Sequence, residues 1–574
     1  MRLKAPLILS IGFTLLMGGT VPSPFQRPDI QHDLAALTKR GFTFRMLDND
    51  LIELTDPASG EKHLKSLREP SEASIRSWAA AKGVPILEID PTQVDTTRYA
   101  GWYNYWTEVP LSNSEGQPLV VADLDRNGKP EVYGGYHDYT SQDFEARVYE
   151  IDSNGGVQFR HKYVPRPGVS ILSADVNQDS LSEILWSRGG GLYDYEQPAA
   201  DSLPTILRFR HEQFKGGVDP GYTGIYVGSL DGDNLTDLLY KGSEPDSANP
   251  NQGISKVYVA EYNPDSNDFI RAWSSDYGFN GNVSAIGGFA VDDFDGDGRK
   301  EFVVSHELSG QVFVTENVGD NTFQQTWRDS TPFVNLYYLA SGDVDGDGRP
   351  EFFVGATMSS GNWTLAYEAD SNNAFSLRFM FHLLSGGSLD IPTYLTTDVD
   401  GYGRPDLVIF SGAFLYVFKG GNKNDYFLFY LRREMNRRSI QYYDLNADGR
   451  KDYLVSKDVL DTLGRFRLKA DLYRATYLLQ VDEPSQPLRS QLFQSYPNPF
   501  NGRTTIRYSI PFSQHVRVRV FDCAGRQVRL LIDRRETFGD HEVIWNAANT
   551  ASGIYFCRLE TGIEFATIKI LLVK

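Results

Sequence analysis

The sequence predicts a mainly β chain: a seven-bladed β-propeller, preceded by a small α+β module and followed by a small β-sandwich. Three observations carry that prediction. An acidic loop of the form Asp-x-Asp-x-Asp-Gly-x-x-(Asp/Glu) recurs seven times between Asp123 and Asp452. Short apolar runs stand on both sides of each copy, at the length and alternation of strands. After Gln494 the pattern changes to a compact series of alternating strands with its own turns.

Composition sets the outer limits. A chain of 574 residues is too long for one ordinary core, so modules or a repeat array are expected. Its 41% hydrophobic and 13% aromatic content is globular. The 52 glycines and 28 prolines favour short strands divided by tight turns. A net charge of −19 argues against a nucleic-acid partner, because phosphate binding needs the opposite sign. At the N-terminus, Arg2 and Lys4 precede an apolar run from Ala5 to Met17 and then Gly18, Gly19 and Thr20. This reads as a secretory signal peptide over residues 1–22, since the run is shorter than the roughly 20 residues a membrane span needs. No later segment is expected to cross a membrane as a helix. Cys523 and Cys557 are the two cysteines; an oxidising compartment permits a disulfide between them, but their spacing does not establish one.

Residues 29–92 form the expected α+β module. Asp29–Arg40 has helical apolar spacing through Ile30, Leu34 and Leu37. Phe42–Leu54 reads as a strand pair turning at Asn49-Asp50. Pro70–Lys82 is a helix with Ser71 as N-cap, Ile75 and Trp78 on one face and Gly83 as its stop. With no chemistry of its own, the module is expected to serve as a packing cap on the array.

The array occupies residues 96–480. Its loops start at Asp123, Asp175, Ser229, Asp293, Asp343, Asp398 and Asp444, about fifty residues apart, the length of a four-stranded blade. Pro118–Ala122 and Glu131–Gly134 flank the first loop, and further strands such as Ala146–Glu150 and Gln311–Thr315 follow before the next loop. A linear solenoid would need capped ends, whereas a closed ring removes them. The aromatic segment Tyr99–Trp106 could supply the strand that completes the last blade.

Carboxylates at alternate positions around a tight turn make an oxygen cage for a hard cation, and calcium takes six to eight such oxygens. Glycine at the sixth position allows the backbone to fold back. An EF-hand would need a bidentate Glu at position twelve, where this chain has Val304, Val354 and Val455 inside the next strand. The spacing instead resembles the FG-GAP/VCBS calcium loops of integrin-α-like β-propellers. That resemblance implies the following ligands. The fourth loop offers Asp293, Asp295, Asp297 and Glu301, and the fifth Asp343, Asp345, Asp347 and Glu351. The first (Asp123, Asp125, Asn127, Glu131) and seventh (Asp444, Asn446, Asp448, Asp452) substitute one amide oxygen for a carboxylate and are expected to bind more weakly. The second offers Asp175, Asn177, Asp179 and Glu183 but has Ser180 in place of glycine. The third begins at Ser229, leaving Asp231, Asp233 and Asp237; the sixth has Tyr402 at a ligand position, leaving Asp398, Asp400 and Asp406. For the second, third and sixth, a metal-free Asx-turn is an equal expectation. Where calcium binds, it is expected to be structural.

Residues 481–493, with Asp482-Glu-Pro-Ser-Gln-Pro487, have linker composition. Residues 494–574 then predict an Ig-like β-sandwich with strands at Thr505–Ile510, His515–Phe521, His541–Trp545, Gly553–Leu559 and Thr567–Val573. This segment contains Tyr496-Pro-Asn-Pro-Phe-Asn501, Val520-Phe-Asp522-x-x-Gly525, Gly539-x-His541-x-Val543-x-Trp545 and Ala551-Ser-Gly-Ile-Tyr555. It resembles the type A C-terminal sorting domain of the type IX secretion system. The resemblance implies a Gram-negative bacterium, the type IX machinery as partner through residues 494–574, and a destination in the medium or at the outer-membrane surface.

No nucleophile elbow, zinc-protease helix or phosphate-binding loop is present. The paired carboxylates that could act as acid and base already sit in the cation loops, and the histidines are scattered. Trp102, Tyr103, Tyr105, Trp106, Trp186, Tyr193, Tyr195 and Trp363 are candidates for stacking on a ligand, with blade packing as the alternative for each. The functional expectation is a secreted or cell-surface calcium-binding module for adhesion to a glycan or protein. A polysaccharide-active hydrolase or lyase on the same scaffold is the runner-up.

Overall fold

The computed structural model describes residues 28–574 except 40, 49–50, 56–61, 112–118, 139–142, 165–169, 189–190, 212–224, 246–252, 276, 278–285, 422–423, 436, 447, 461–465, 477–490, 511–513, 537–538 and 562–563. The expected signal peptide and most of the expected linker lie outside the described residues. Strands dominate. Helix α1 spans Pro28–Lys39 and buries Ile30, Leu34 and Leu37, the one apolar face its spacing dictates. Helix α2 spans Glu72–Lys82. The Ser71 hydroxyl accepts the Ser74 amide at 3.2 Å, and Gly83 ends the helix at φ 71°, a conformation glycine adopts without strain. Between the helices lies a three-stranded sheet, Thr43–Asp48, Leu51–Thr55 and Lys62–Ser66.

This module is joined to the array by hydrogen bonds. Strand Ile86–Ile89 pairs in parallel with Ala374–Leu383. Lys65 is fully buried, and its ammonium donates to the Thr357 hydroxyl at 3.1 Å and the Asp390 carbonyl at 2.8 Å. Asn335 exchanges two hydrogen bonds with the Ser66 backbone, at 2.7 and 3.0 Å. A buried ammonium is tolerable only with such partners, so they fix where the module sits.

Seven sheets make up the array, each with four antiparallel strands, and the fifth is extended by the parallel strand Ile86–Ile89. Their first strands are Val120–Ala122, Ser170–Ala174, Ile225–Gly228, Ile286–Asp292, Leu336–Gly342, Thr393–Thr397 and Arg437–Tyr443. Contacts run between the first strands of the first and second sheets, the third and fourth, and onward through the fourth, fifth, sixth and seventh back to the first. The arrangement is propeller-like. The seventh sheet takes its fourth strand from Tyr103–Val109, whose Tyr103 pairs with Ala475. The aromatic segment therefore completes the last sheet as expected, but from residue 103; Thr96–Tyr99 before it is a 3-10 turn.

Each of the seven sheets has a β-bulge on its fourth strand, which inserts one extra residue opposite the third. From the first sheet to the seventh, that residue is Arg160, Arg208, Ala272, Thr326, Arg378, Phe429 and Trp106.

Residues 491–574 form two sheets over one core. One contains Gln491–Leu492, Arg503–Ile510 and Gly539–Asn546; the other contains Gln527–Glu536, Gln514–Asp522, Gly553–Thr561 and Glu564–Leu572. Phe500, Val518, Trp545 and Ile570 meet between them. The strand Gln527–Glu536 was not among those expected, because it lies largely exposed and buries Ile532 alone among its described residues. Cys523 is exposed and Cys557 buried, and both are free thiols.

Candidate metal centres

All seven loops are built alike. Each joins the first strand of its sheet to the second, and its last acid is the first residue of that second strand. One oxygen of that acid accepts the amide of the loop's second residue: Leu124, Val176, Leu230, Phe294, Val344, Val399 and Leu445 donate at 2.7–3.0 Å. The first acid accepts the amide at the turn. Gly128, Ser180, Gly298, Gly348, Gly403 and Gly449 donate to Asp123, Asp175, Asp293, Asp343, Asp398 and Asp444 at 2.7–3.0 Å. Ser180 (φ 68°) and Asn234 (φ 71°) hold the left-handed turn that glycine holds elsewhere, so losing glycine there does not lose the loop. In the third loop Ser229 accepts the Gly232 amide instead.

Middle residues keep the turn in shape. Asp125, Asp231, Asp295, Asp345 and Asp400 each accept an amide two residues on, as do the amide oxygens of Asn177 and Asn446. Asn127, Asp179, Asp233, Asp297, Asp347 and Asp448 do the same one step later. Ligand-capable oxygens lie within 4.8 Å of one another in the first loop (Asp123, Asp125, Glu131), the second (Asp175, Asp179, Glu183) and the fourth (Asp293, Asp295, Asp297, Glu301).

The remaining oxygen of the last acid divides the loops into two kinds. In the first, third, fourth and fifth, Glu131 Oε1, Asp237 Oδ1, Glu301 Oε1 and Glu351 Oε1 are buried without a hydrogen-bond partner. The Tyr133 and Tyr426 hydroxyls stand beside Glu131 and Glu351 but make no well-formed hydrogen bond. In the other three loops that oxygen is engaged: Arg208 reaches Glu183 at 3.3 Å, Lys419 reaches Asp406 at 3.5 Å, and the Ala475 amide donates to Asp452 at 2.7 Å. Burial raises the pKa of Glu301 and Glu351 to about 9 and of Glu131 to about 8, with the neighbouring Asp charges adding to the effect. Asp406 is raised by burial to about 7, with Lys419 opposing, and Asp452 to about 6. An orphaned, buried carboxylate oxygen among other carboxylates is an unfavourable arrangement that a hard cation would relieve.

Strand register sets the sixth and seventh loops apart, and the loop motif alone does not disclose it; the second loop faces an acid, Glu196, and is engaged instead by Arg208 from the bulge of its fourth strand. Directly across from the last acid stands a second acid in the first four sheets: Glu131 faces Glu150, Glu183 faces Glu196, Asp237 faces Glu261 and Glu301 faces Glu316. Like charges directly opposite one another destabilise a sheet. In the fifth sheet the step beyond the Phe352–Tyr367 pair places Glu368 in that position. In the sixth and seventh, the same step places Lys419 and Arg474 there. Lys419 also bonds Asp400, and its ammonium lies 4.5 Å from the ring of the bulge residue Phe429. Arg474 lies 3.6 Å over the bulge residue Trp106. Arginines at the bulge reach the facing acid elsewhere: Arg160 bonds Glu150, Arg208 bonds Glu196 at 2.8 Å, and Arg378 approaches Glu368 at 3.4 Å.

The aromatic candidates are mostly structural. Trp186, Trp363, Tyr103, Tyr193 and Tyr195 are buried; Trp363 stacks on His382 at 3.8 Å and Trp102 on Tyr430 at 5.6 Å. Tyr105 is the exposed member, at 55%.

A propeller-like body of repeated acidic loops, carried with a two-sheet C-terminal domain, defines a repeat protein. Residues 293–354 match the FG-GAP-like repeat, and residues 494–574 match the secretion system C-terminal sorting domain. The chain therefore carries a type IX sorting signal, and the protein is secreted or displayed at the cell surface. No helix among the described residues is long and apolar enough to cross a membrane. Cartilage acidic protein 1 of Mus musculus is 26% identical over 257 residues; the match covers 36% of this chain and spans 37% of that relative's length. Among solved structures, PorZ, a surface component of the type IX secretion system of Porphyromonas gingivalis, is 14% identical with a TM-score of 0.33, covering 77% of this chain and 58% of that one. The Dos1 propeller is 11% identical with a TM-score of 0.35, covering 65% and 95%.

Proposed function

We propose that the protein is a secreted or surface-displayed adhesion module whose seven sheets close as a seven-bladed propeller pinned by calcium, exported by its Ig-like C-terminal domain. The observation that carries the cation reading is the set of buried, orphaned oxygens on Glu131, Asp237, Glu301 and Glu351. Calcium would be held by Asp293, Asp295, Asp297 and Glu301 in the fourth loop and by Asp343, Asp345, Asp347 and Glu351 in the fifth, with the first loop's Asp123, Asp125, Asn127 and Glu131 as a weaker site. When bound, the ion supplies positive charge that lets these acids remain ionised together. In the sixth loop Lys419 brings positive charge to Asp400 and Asp406; in the seventh Arg450 pairs with Asp448 and the Ala475 amide donates to Asp452.

The working surface in this reading is the set of connections between sheets, held rigid by the scaffold, where loops commonly carry recognition. The ligand is a glycan or protein outside the cell. Thermal unfolding of the full chain should show a lower midpoint in chelator that calcium restores; an unchanged midpoint after exhaustive chelation rejects the cation reading. A glycan and matrix-protein array, run beside a test for released oligosaccharide, examines the adhesion reading. Binding without product supports it, and product release would make the protein an enzyme.

A further inference from the structure

The acids of the third loop gather with carboxylates that lie outside the loop. Its first position is Ser229, so the cage lacks the carboxylate that opens the other six. The carboxylates that come within 4.8 Å of one another here are Asp231, Asp233, Glu261 and Asp320. Asp231 and Asp233 belong to the loop, and Glu261 to the third strand of the same sheet. Asp320 comes from the next sheet, in the hairpin between Gln311–Gly319 and Thr322–Ser330.

The corresponding hairpin one sheet further on shows what has changed. There Asn373 donates its backbone amide to Asp295 at 2.7 Å and its side-chain amide to Glu316 at 2.9 Å, while Asn372 donates to Asp297 at 2.7 Å. In the third loop's counterpart, Asn321 repeats both bonds, to Asp231 and Glu261, each at 2.8 Å. The residue before it, however, is Asp320, an acid at the place from which Asn372 donates a proton. The third loop thus has no carboxylate at position one and one across the junction, on Asp320.

Two further features point to a ligand at that junction. Asp237 is 0% exposed, and its Oδ1 has no hydrogen-bond partner; the acids pressing on it are Asp231, Glu261 and Asp233, members of the same group. Secondly, the bulge residue of this sheet is Ala272, where the first, second and fifth sheets place an arginine against the facing glutamate. The ammonium bonded at the loop's first position, that of Lys300, donates to the Ser229 carbonyl at 2.9 Å, and the bulge offers Glu261 no arginine.

We propose that the third loop takes its divalent cation across the junction of the third and fourth sheets, held by Asp231, Asp233, Glu261 and Asp320 with Asp237 behind them. The oxygen-only donor set suits a hard ion of calcium's size. Such an ion ties two sheets together, where the ions of the fourth and fifth loops act within one sheet. This inference rests on the calcium reading above, and its test separates the two. Bound calcium per chain is measured on the full-length protein by equilibrium dialysis, for wild type, Asp320→Asn, Asp293→Asn and Asp320→Asn combined with Ser229→Asp. Asn372 shows that asparagine fits the hairpin position. Asp320→Asn should lose one ion per chain, and Ser229→Asp should restore it by rebuilding the ordinary cage. If Asp320→Asn keeps the wild-type count while Asp293→Asn loses an ion, the junction site is wrong and the loop reading stands. If neither variant loses an ion, both are wrong.

Discussion

The fifth and sixth loops begin alike in sequence and fold alike, yet they settle their charge by opposite means. Asp343, Asp345, Asp347 and Glu351 meet another acid, Glu368, across the sheet, and Glu351 keeps a buried oxygen with no hydrogen-bond partner. Asp398, Asp400 and Asp406 meet Lys419, whose ammonium reaches both Asp400 and Asp406. One loop leaves a buried carboxylate oxygen without a hydrogen-bond partner; the other meets its acids with a cation carried in the chain. The deciding residue is on the third strand, outside the motif, at the position directly across from the last acid. Between these two loops the charge balance is therefore set by the sheet as well as by the motif.

Predictions follow from trying to convert one loop into the other. The largest effect is expected from Lys419→Met, which leaves two buried carboxylates without their partner. Removing one member of a buried ion pair costs about 3–5 kcal/mol, and the loss should be the same in calcium and in chelator when read by denaturant unfolding. A loss confined to chelator would mean that calcium already serves the sixth loop. Glu351→Gln should behave the other way: about 1–3 kcal/mol lost in calcium, where a ligand is missing, and little or none in chelator. Equal losses in both conditions would show that Glu351 acts as a packing group alone.

A third expected effect is a difference in pH dependence. Without calcium, burial holds Glu301 and Glu351 up at about 9, above the roughly 4.3 of an unfolded glutamate. A group whose pKa is raised on folding contributes stability at low pH, and that contribution fades as pH climbs through the raised value. Chelated protein should therefore lose stability steadily between about pH 5 and pH 9, whereas saturating calcium, which favours the ionised acids, should flatten the slope. Melting temperature measured against pH with and without calcium checks this; parallel curves would contradict it.

Much of this was readable in the chain. Ser71 and Gly83 mark the ends of α2 because capping is local chemistry, and the acidic loops mark the sheets because their spacing repeats. The charge register was not readable from the motif, since Lys419 and Arg474 face Asp406 and Asp452 only after the strands pair. In the seventh loop the motif likewise does not disclose that the Ala475 amide engages the last acid. Bulges hide for a related reason, because one extra residue such as Arg208 or Phe429 leaves no mark in the local pattern. The aromatic candidates were legible as aromatic but not as buried; Trp186 and Trp363 have their surroundings set by strands far along the chain.

The most direct test is a crystal structure of the full chain grown in calcium, with anomalous data to identify the ions. Calcium is expected at the fourth loop on Asp293, Asp295, Asp297 and Glu301 and at the fifth on Asp343, Asp345, Asp347 and Glu351, and at the sixth the Lys419 ammonium between Asp400 and Asp406 with no ion. Calcium in the sixth loop with Lys419 displaced, or no ion in the fourth and fifth at saturating calcium, would contradict that expectation.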